Sequence, residues 1–343
     1  MWQPTYSISN KLLRTTRAIG EVLGGLRGQS LRGQRLDKLL LEARALSTFA
    51  STSIEGNPLP LTDVRRLLKN TPSQVRDTER EILNYNRALE WVHDQVNQGT
   101  FTFTTQSYAH IQGLVVEGLM ENPFDVGQLR QKPVVIRDPR VQDRIVFMPP
   151  DQGDVAGLCD DLFAFINTSM DDHDPLILAG LFHKQAVIIH PFMDGNGRST
   201  RLMTSALLGM AGFDFWSIFS FESYYHRNVT QYFAAVGEQG DYYDLYDQMD
   251  FTFWLEYFAD GILDELKRVQ KTLPASSPRL EPHHQQVLDF ITQHGSLSQR
   301  EYGQISGRSL AARKQDLARL LDLDLIRKIG TGRATYYVKA DQS

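Results

Sequence analysis

The chain has 343 residues, 41% of them hydrophobic, and a net charge of −5, enough length and apolar content to bury a large core in about two domains. Its one cysteine, Cys159, excludes an internal disulfide, and neither a charged-then-apolar leader nor a long uncharged apolar run is present, so cytoplasmic residence without membrane contact is the expectation. The acidic balance argues against the whole chain being a general polyanion binder.

In chain order, the first informative stretch is DKLLLEARALSTFASTSIEGNPL, residues 37–59. Apolar residues recur at helical spacing and the run stops sharply at Glu55, Gly56, Asn57 and Pro58. Gly56 reads as a C-terminal cap. A carboxylate in the last turn opposes the helix dipole, so Glu55 gains from a cation partner. Residues 132–150, KPVVIRDPRVQDRIVFMPP, set β-branched runs on either side of a turn-rich DPRVQD centre, a hairpin signal in an otherwise helical chain.

Asp174 followed by Pro175 is an N-cap and first-turn signature that launches LILAGLFHKQAVIIH as a buried helix ending at His190. The run His190–Arg201, HPFMDGNGRSTR, follows, and RLMTSALLGMAGF after it predicts a second helix from about Gly197 to Gly212. GNGR is thus a loop feeding a helix N-terminus, where unpaired N–H groups and the helix dipole attract anions and Gly195 and Gly197 let the backbone come close. Arg198 and Arg201, one turn apart, add fixed positive charge. The residues make a phosphate-handling site with a histidine base beside it. The GxxxxGK[ST] phosphate loop is absent, and the dinucleotide fingerprint fails because Thr200 stands at its third glycine and a helix, not a strand, precedes it. HxxxD offers only two ligands, too few for a zinc hydrolase.

The aromatic-rich stretch 221–246, including Tyr232, and the amphipathic run 251–270, including Trp254, complete the body. Residues 271–282, KTLPASSPRLEP, read as a Pro/Ser-rich linker. Beyond it come a helix, a short helix opened by Ser298, a third helix opened by Ser309 and a hairpin, in the order of a winged helix-turn-helix. Residues 281–343 hold nine basic against seven acidic residues, a charge of +2, against −7 for the rest. Ser309, Arg313, Lys314 and the GTGR turn are the candidates for DNA contact through 283–343, although a charge of +2 is modest and the fold also serves protein contacts.

The run HPFMDGNGRSTR resembles the core motif of the Fic family, HPFx[D/E]GNGRxxR, at every defined position. The resemblance implies a mainly α fold: a helical bundle core over 101–270 with a β-hairpin flap, an N-terminal helical region over 1–100, and a small winged helix domain. It also implies transfer of AMP from ATP to a Ser, Thr or Tyr hydroxyl of a target protein. His190 would be the general base, Asp194 the Mg²⁺ ligand, and Gly195, Asn196, Gly197, Arg198 and Arg201 would hold phosphates, with Tyr232 near the adenine. Ser51 to Gly56, STSIEG, resembles the family's inhibitory motif [S/T]xxxE[G/N] on a helix at about 36–56, so Glu55 would pair with Arg201 and displace the γ-phosphate. The hairpin would dock a target segment as an added strand, and residues 7–28 resemble the family's helical lead-in. Removal of AMP at the same site, self-modification, a homodimer and a nucleotide-responsive DNA-binding regulator are the alternatives this reading leaves open. Phosphate transfer with a reversed nucleotide, as in the Doc toxin, is disfavoured by Arg201.

Overall fold

The computed structural model describes residues 2–27, 33–137, 144–273, 280–323 and 325–340. The DPRVQD centre of the expected hairpin and residues 274–279 of the expected linker lie outside them. Among the described residues the helices are α1 (Asn10–Arg27), α2 (Gly33–Ile54), α3 (Leu61–Lys69), α4 (Asp77–Asn97), α5 (Thr105–Val116), α6 (Val155–Ser169), α7 (Pro175–Ile189), α8 (Asn196–Met210), α9 (Phe221–Arg227), α10 (Val229–Val236), α11 (Tyr242–Leu245), α12 (Thr252–Thr272), α13 (Pro282–His294), α14 (Gln299–Ser306) and α15 (Leu310–Asp322). Six short strands join them: β1 (Ile136–Arg137), β2 (Ile145–Met148), β3 (Gly240–Asp241), β4 (Leu297–Ser298), β5 (Ile326–Ile329) and β6 (Tyr336–Lys339). The expectation of a mainly helical fold holds. The chain divides into two compact units, one made of residues 1–23 and 42–267, the other of 24–41 and 268–343.

The larger unit is built on α7. Asp174 Oδ1 accepts the Leu176 N–H at 2.9 Å and Pro175 fills the first turn, as the sequence signature requires. From Leu176 to Ile189 every residue except Val187 is buried. Close approach is set at Gly180, where an added Cβ would meet Leu255 at 2.6 Å and whose carbonyl accepts the Trp254 indole N–H at 2.7 Å from α12. Lys184, also buried on α7, is neutralised by Glu238 at 2.6 Å. Helices α4, α5 and α7 all pack on α8, which places the α8 N-terminus deep in the bundle.

In the flap, β1 and β2 pair antiparallel with an irregularity between Ile136 and Arg137. The strand β3, which the sequence does not announce, pairs parallel to β2 on its other side. In the smaller unit α13, α14 and α15 enclose Val287, Ile291, Leu297, Tyr302, Leu317, Leu320, Ile326 and Tyr337 with a sheet of order β4-β6-β5.

Candidate active site

The loop between α7 and α8 is a tight connection with two left-handed residues. His190 caps α7 at φ 50°, ψ 60°, and Gly195 precedes α8 at φ 80°. Gly195 is required twice over, since its backbone is left-handed and an added Cβ would lie 2.8 Å from Val116. Helix α8 starts at Asn196, one residue before the expected Gly197, because Ser199 N–H already closes a first turn on the Gly195 carbonyl at 2.9 Å. The first N–H groups of α8 have no intrahelical acceptor, and no side chain caps them from Gly195.

His190 Nδ1 faces the Val187 carbonyl at 3.3 Å. A carbonyl only accepts, so Nδ1 carries the proton and Nε2 keeps its lone pair. Burial pushes the imidazole pKa down to about 4, with the hydrogen bond to Val187 opposing and Arg130 assisting. His190 is therefore neutral at physiological pH, in the form that can accept a proton. Its basicity is lower than that of the ordinary imidazole expected from sequence.

Both motif arginines are held by carboxylates. Arg201 is fully buried: Nε donates to Ser51 Oγ at 2.7 Å, and Nη2 to the Ser51 carbonyl at 2.9 Å and Glu55 Oε1 at 2.7 Å. Burial is the largest influence and opposes its charge, but Glu55, Tyr232 and Tyr85 together more than offset it and raise the arginine pKa. The same carboxylate lies over Gly197, where an added Cβ would meet Glu55 Oε1 at 2.2 Å. Glu55 thus stands at the α8 N-terminus, where the loop would receive an anion. Arg198 donates to Glu81 Oε1 at 2.5 Å and to Asp194 Oδ1 at 2.9 Å. Asp194 is more than half exposed and also accepts the Gly195 N–H at 2.6 Å.

Two expected ligand contacts are engaged elsewhere. Asn196 makes a closed pair with the Phe192 backbone, Oδ1 accepting its N–H at 2.9 Å and Nδ2 donating to its carbonyl at 2.8 Å. Its side chain shapes the loop, with both polar atoms taken up by the Phe192 backbone. Tyr232 is 1% exposed, stacked on Tyr225 with ring centroids 4.5 Å apart, and hydrogen-bonded to His183 Nε2 at 3.1 Å. That is a core position, and the ring has no free face for adenine. Gly56 ends α2 at φ 98°, and Asn57, just beyond, donates to Glu81 Oε2 at 2.7 Å and to the Thr78 carbonyl at 2.9 Å.

Several residues at the site carry no motif. Glu81 joins Arg198 to Asn57. Gln112 on α5 donates to the Asp194 carbonyl at 3.0 Å and accepts the Gly127 N–H at 2.7 Å. Arg130, 1% exposed, reaches the carbonyls that end α7. Buried Glu222 accepts from Ser47 Oγ at 2.7 Å, so Ser47 and Ser51 on α2, with Glu55 just past its end, form a polar row. Their spacing of four residues was the available sequence signal. Nothing in the local sequence marks the others.

Residues 102–208 match the Fic/DOC family, a span that holds the whole His190–Arg201 loop but not Glu55. The chain is 28% identical over 176 residues to a protein adenylyltransferase Fic of Drosophila mojavensis and 29% identical over 186 residues to one of Nematostella vectensis. These alignments cover 50% and 52% of this chain but only 33% and 40% of those proteins, so the chain spans little more than a third of the length of the curated relatives it matches. In fold it is similar to a Fic family protein of Desulfovibrio desulfuricans, with a TM-score of 0.66 at 20% identity over 100% of this chain and 99% of that one. It is also similar to Fic-1 of C. elegans, with a TM-score of 0.57 at 19% identity over 76% and 72%. Residues 102–208 thus match the Fic/DOC family, and the fold of the chain is similar to that of solved Fic proteins.

Proposed function

We propose that the chain transfers AMP from ATP to a hydroxyl of a protein side chain and that Glu55 restrains it. In the reaction His190 Nε2 takes the hydroxyl proton, the freed oxygen bonds to the α-phosphorus, and the bond to the leaving pyrophosphate breaks. The amides at the α8 N-terminus together with Arg198 and Arg201 offset the phosphate charge. Asp194, a hard and largely exposed oxygen donor, fits Mg²⁺, which commonly takes one or two carboxylates and completes its shell with phosphates and water. Bound there, the ion would neutralise charge on the phosphates.

One observation carries the restraint: a buried arginine of the anion site has its Nη2 on Glu55, whose carboxylate also lies against Gly197. A nucleotide whose γ-phosphate cannot reach Arg201 binds with its α-phosphate out of line, and a misplacement of about 1 Å costs on the order of a hundredfold in rate. The test is labelled ATP incubated with Glu55→Gly. Transfer of label to protein should rise by at least about tenfold over the unaltered chain, and His190→Ala in that background should abolish it; equal labelling with and without Glu55 ends the assignment. Reverse removal of AMP is measured in the same assay with labelled product.

For the smaller unit, the order α13-β4-α14-α15-β5-β6 supports a winged helix reading. Its side chains favour protein contact over DNA. Ser309 Oγ accepts the Ala312 N–H as the α15 cap, and Arg313 Nη1 donates to the Gln299 carbonyl at 2.6 Å, so two of the three expected DNA-contacting residues are engaged within the unit. The described helices include none long and apolar enough to cross a membrane.

A further inference from the structure

Arg130 is among the largest fully buried side chains, and every hydrogen bond from its guanidinium goes to a backbone carbonyl. Nε donates to His190 O at 2.8 Å, Nη1 to Lys132 O at 3.2 Å, and Nη2 to Pro150 O at 2.5 Å and Ile189 O at 3.4 Å. Its own backbone N–H donates to Pro191 O at 2.8 Å. One residue therefore takes the carbonyls of three consecutive residues, 189–191, that bracket the candidate base. It also takes one carbonyl from each stem of the hairpin, Lys132 before β1 and Pro150 after β2.

Burying a guanidinium is costly, and here burial lowers its pKa. Its charge is favoured by Asp151 nearby and by the negative end of α7, whose last carbonyls it binds. What the arrangement provides is geometry. His190 holds a left-handed backbone, which is strained for a residue other than glycine and persists only where neighbours enforce it. A planar fork of five donors can hold several fixed acceptors at once, which an ammonium on a flexible stem cannot.

Resting on the reading that the loop transfers AMP, we infer that Arg130 is a positioning residue, fixing the His190 imidazole and both hairpin stems in one frame. It sets the distance between the base and the edge on which a target hydroxyl would be presented. Among the described residues its hydrogen bonds reach the loop between α7 and α8 only at His190 and Pro191, so its removal acts on turnover and leaves nucleotide affinity alone.

The test compares Arg130→Lys and Arg130→Gln with their parent, the full chain carrying Glu55→Gly. Turnover should fall about a hundredfold in both, the size expected of a misplacement of about 1 Å, while the dissociation constant for ATP stays within about threefold. Arg130→Lys, which keeps the charge, should rescue nothing. Amide hydrogen exchange should quicken in residues 132–137, 144–150 and 189–192 and stay unchanged in α4 and α8. Turnover retained in Arg130→Lys, ATP affinity falling in parallel with turnover, unchanged exchange in the stems, or a variant unfolded by circular dichroism each overturns the proposal. A parent that transfers no AMP defeats the functional reading alone, and the exchange pattern then still decides whether Arg130 holds the loop to the hairpin.

Discussion

At the scale of single residues the site is governed by which groups keep their charge. His190 and His93 are both pushed down to about 4 by burial. Each is neutral when folded down to about pH 4, whereas in the unfolded chain it binds a proton near pH 6.5. Between these values the unfolded state holds more protons, so stability falls as pH drops from 6.5 to 4. Melting temperature followed across that range should decline, and His93→Gln should flatten the decline; an unchanged slope would assign it to other groups. For activity, the acid limb of the pH–rate profile of the Glu55→Gly chain should lie nearer 4 than 6.5, and a limb centred at 6.5 would mean that His190 is not held neutral by burial. The candidate base could be picked out from sequence because histidine, asparagine and two glycines share one short loop. Its lowered basicity could not, because it depends on burial and on Arg130, sixty residues away in sequence.

Among the elements, α7 shows where legibility ends. Its start was written locally in Asp174 and Pro175, and Asp174→Ala should cost about 1 kcal/mol of stability by loss of the cap. Its burial was legible in its own apolar run, but the tight contact it makes at Gly180 was not. Gly180 reads as a weak helix former, yet α12 packs directly on it, with Leu255 and Phe258 filling the space a side chain would need. Gly180→Ala would improve helix propensity by roughly 1 kcal/mol but overpack the contact by about 1–3 kcal/mol. The net expectation is a lower denaturation midpoint, read from urea unfolding; a raised midpoint would show that α12 can move away freely. The flap divides in the same manner. Its β-branched runs predicted the hairpin, whereas β3 arrives from residues 240–241, too short a strand to leave a pattern. With β3 on one side of β2, the outer edge of β1 is the flap edge open to an added strand among the described residues.

For the molecule as a whole, charge separates the body from the C-terminal unit, and the question is what the basic residues of 281–343 are for. Composition suggested a groove-binding face, but two of those cations are engaged inside the unit. Arg308 pairs with Asp316, which also accepts the Tyr302 hydroxyl at 2.7 Å, and the Arg313 guanidinium lies against Gly303 as it binds the Gln299 carbonyl. On α15 this leaves Lys314 and Arg319 exposed to meet phosphates. Two phosphate contacts predict a salt slope near −1.8, or roughly a tenfold loss of affinity from 50 to 200 mM salt, where a protein docked through six to ten contacts loses about 10³–10⁵. Fluorescence anisotropy of a labelled duplex with the full chain should therefore show weak binding with that shallow slope, further reduced by Lys314→Glu with Arg319→Glu. A slope steeper than about −5 would mean that the internal pairs open on DNA and that the regulator reading is the better one. A shallow slope leaves the unit as a surface for protein contact, in keeping with the proposed transfer of AMP to a protein hydroxyl.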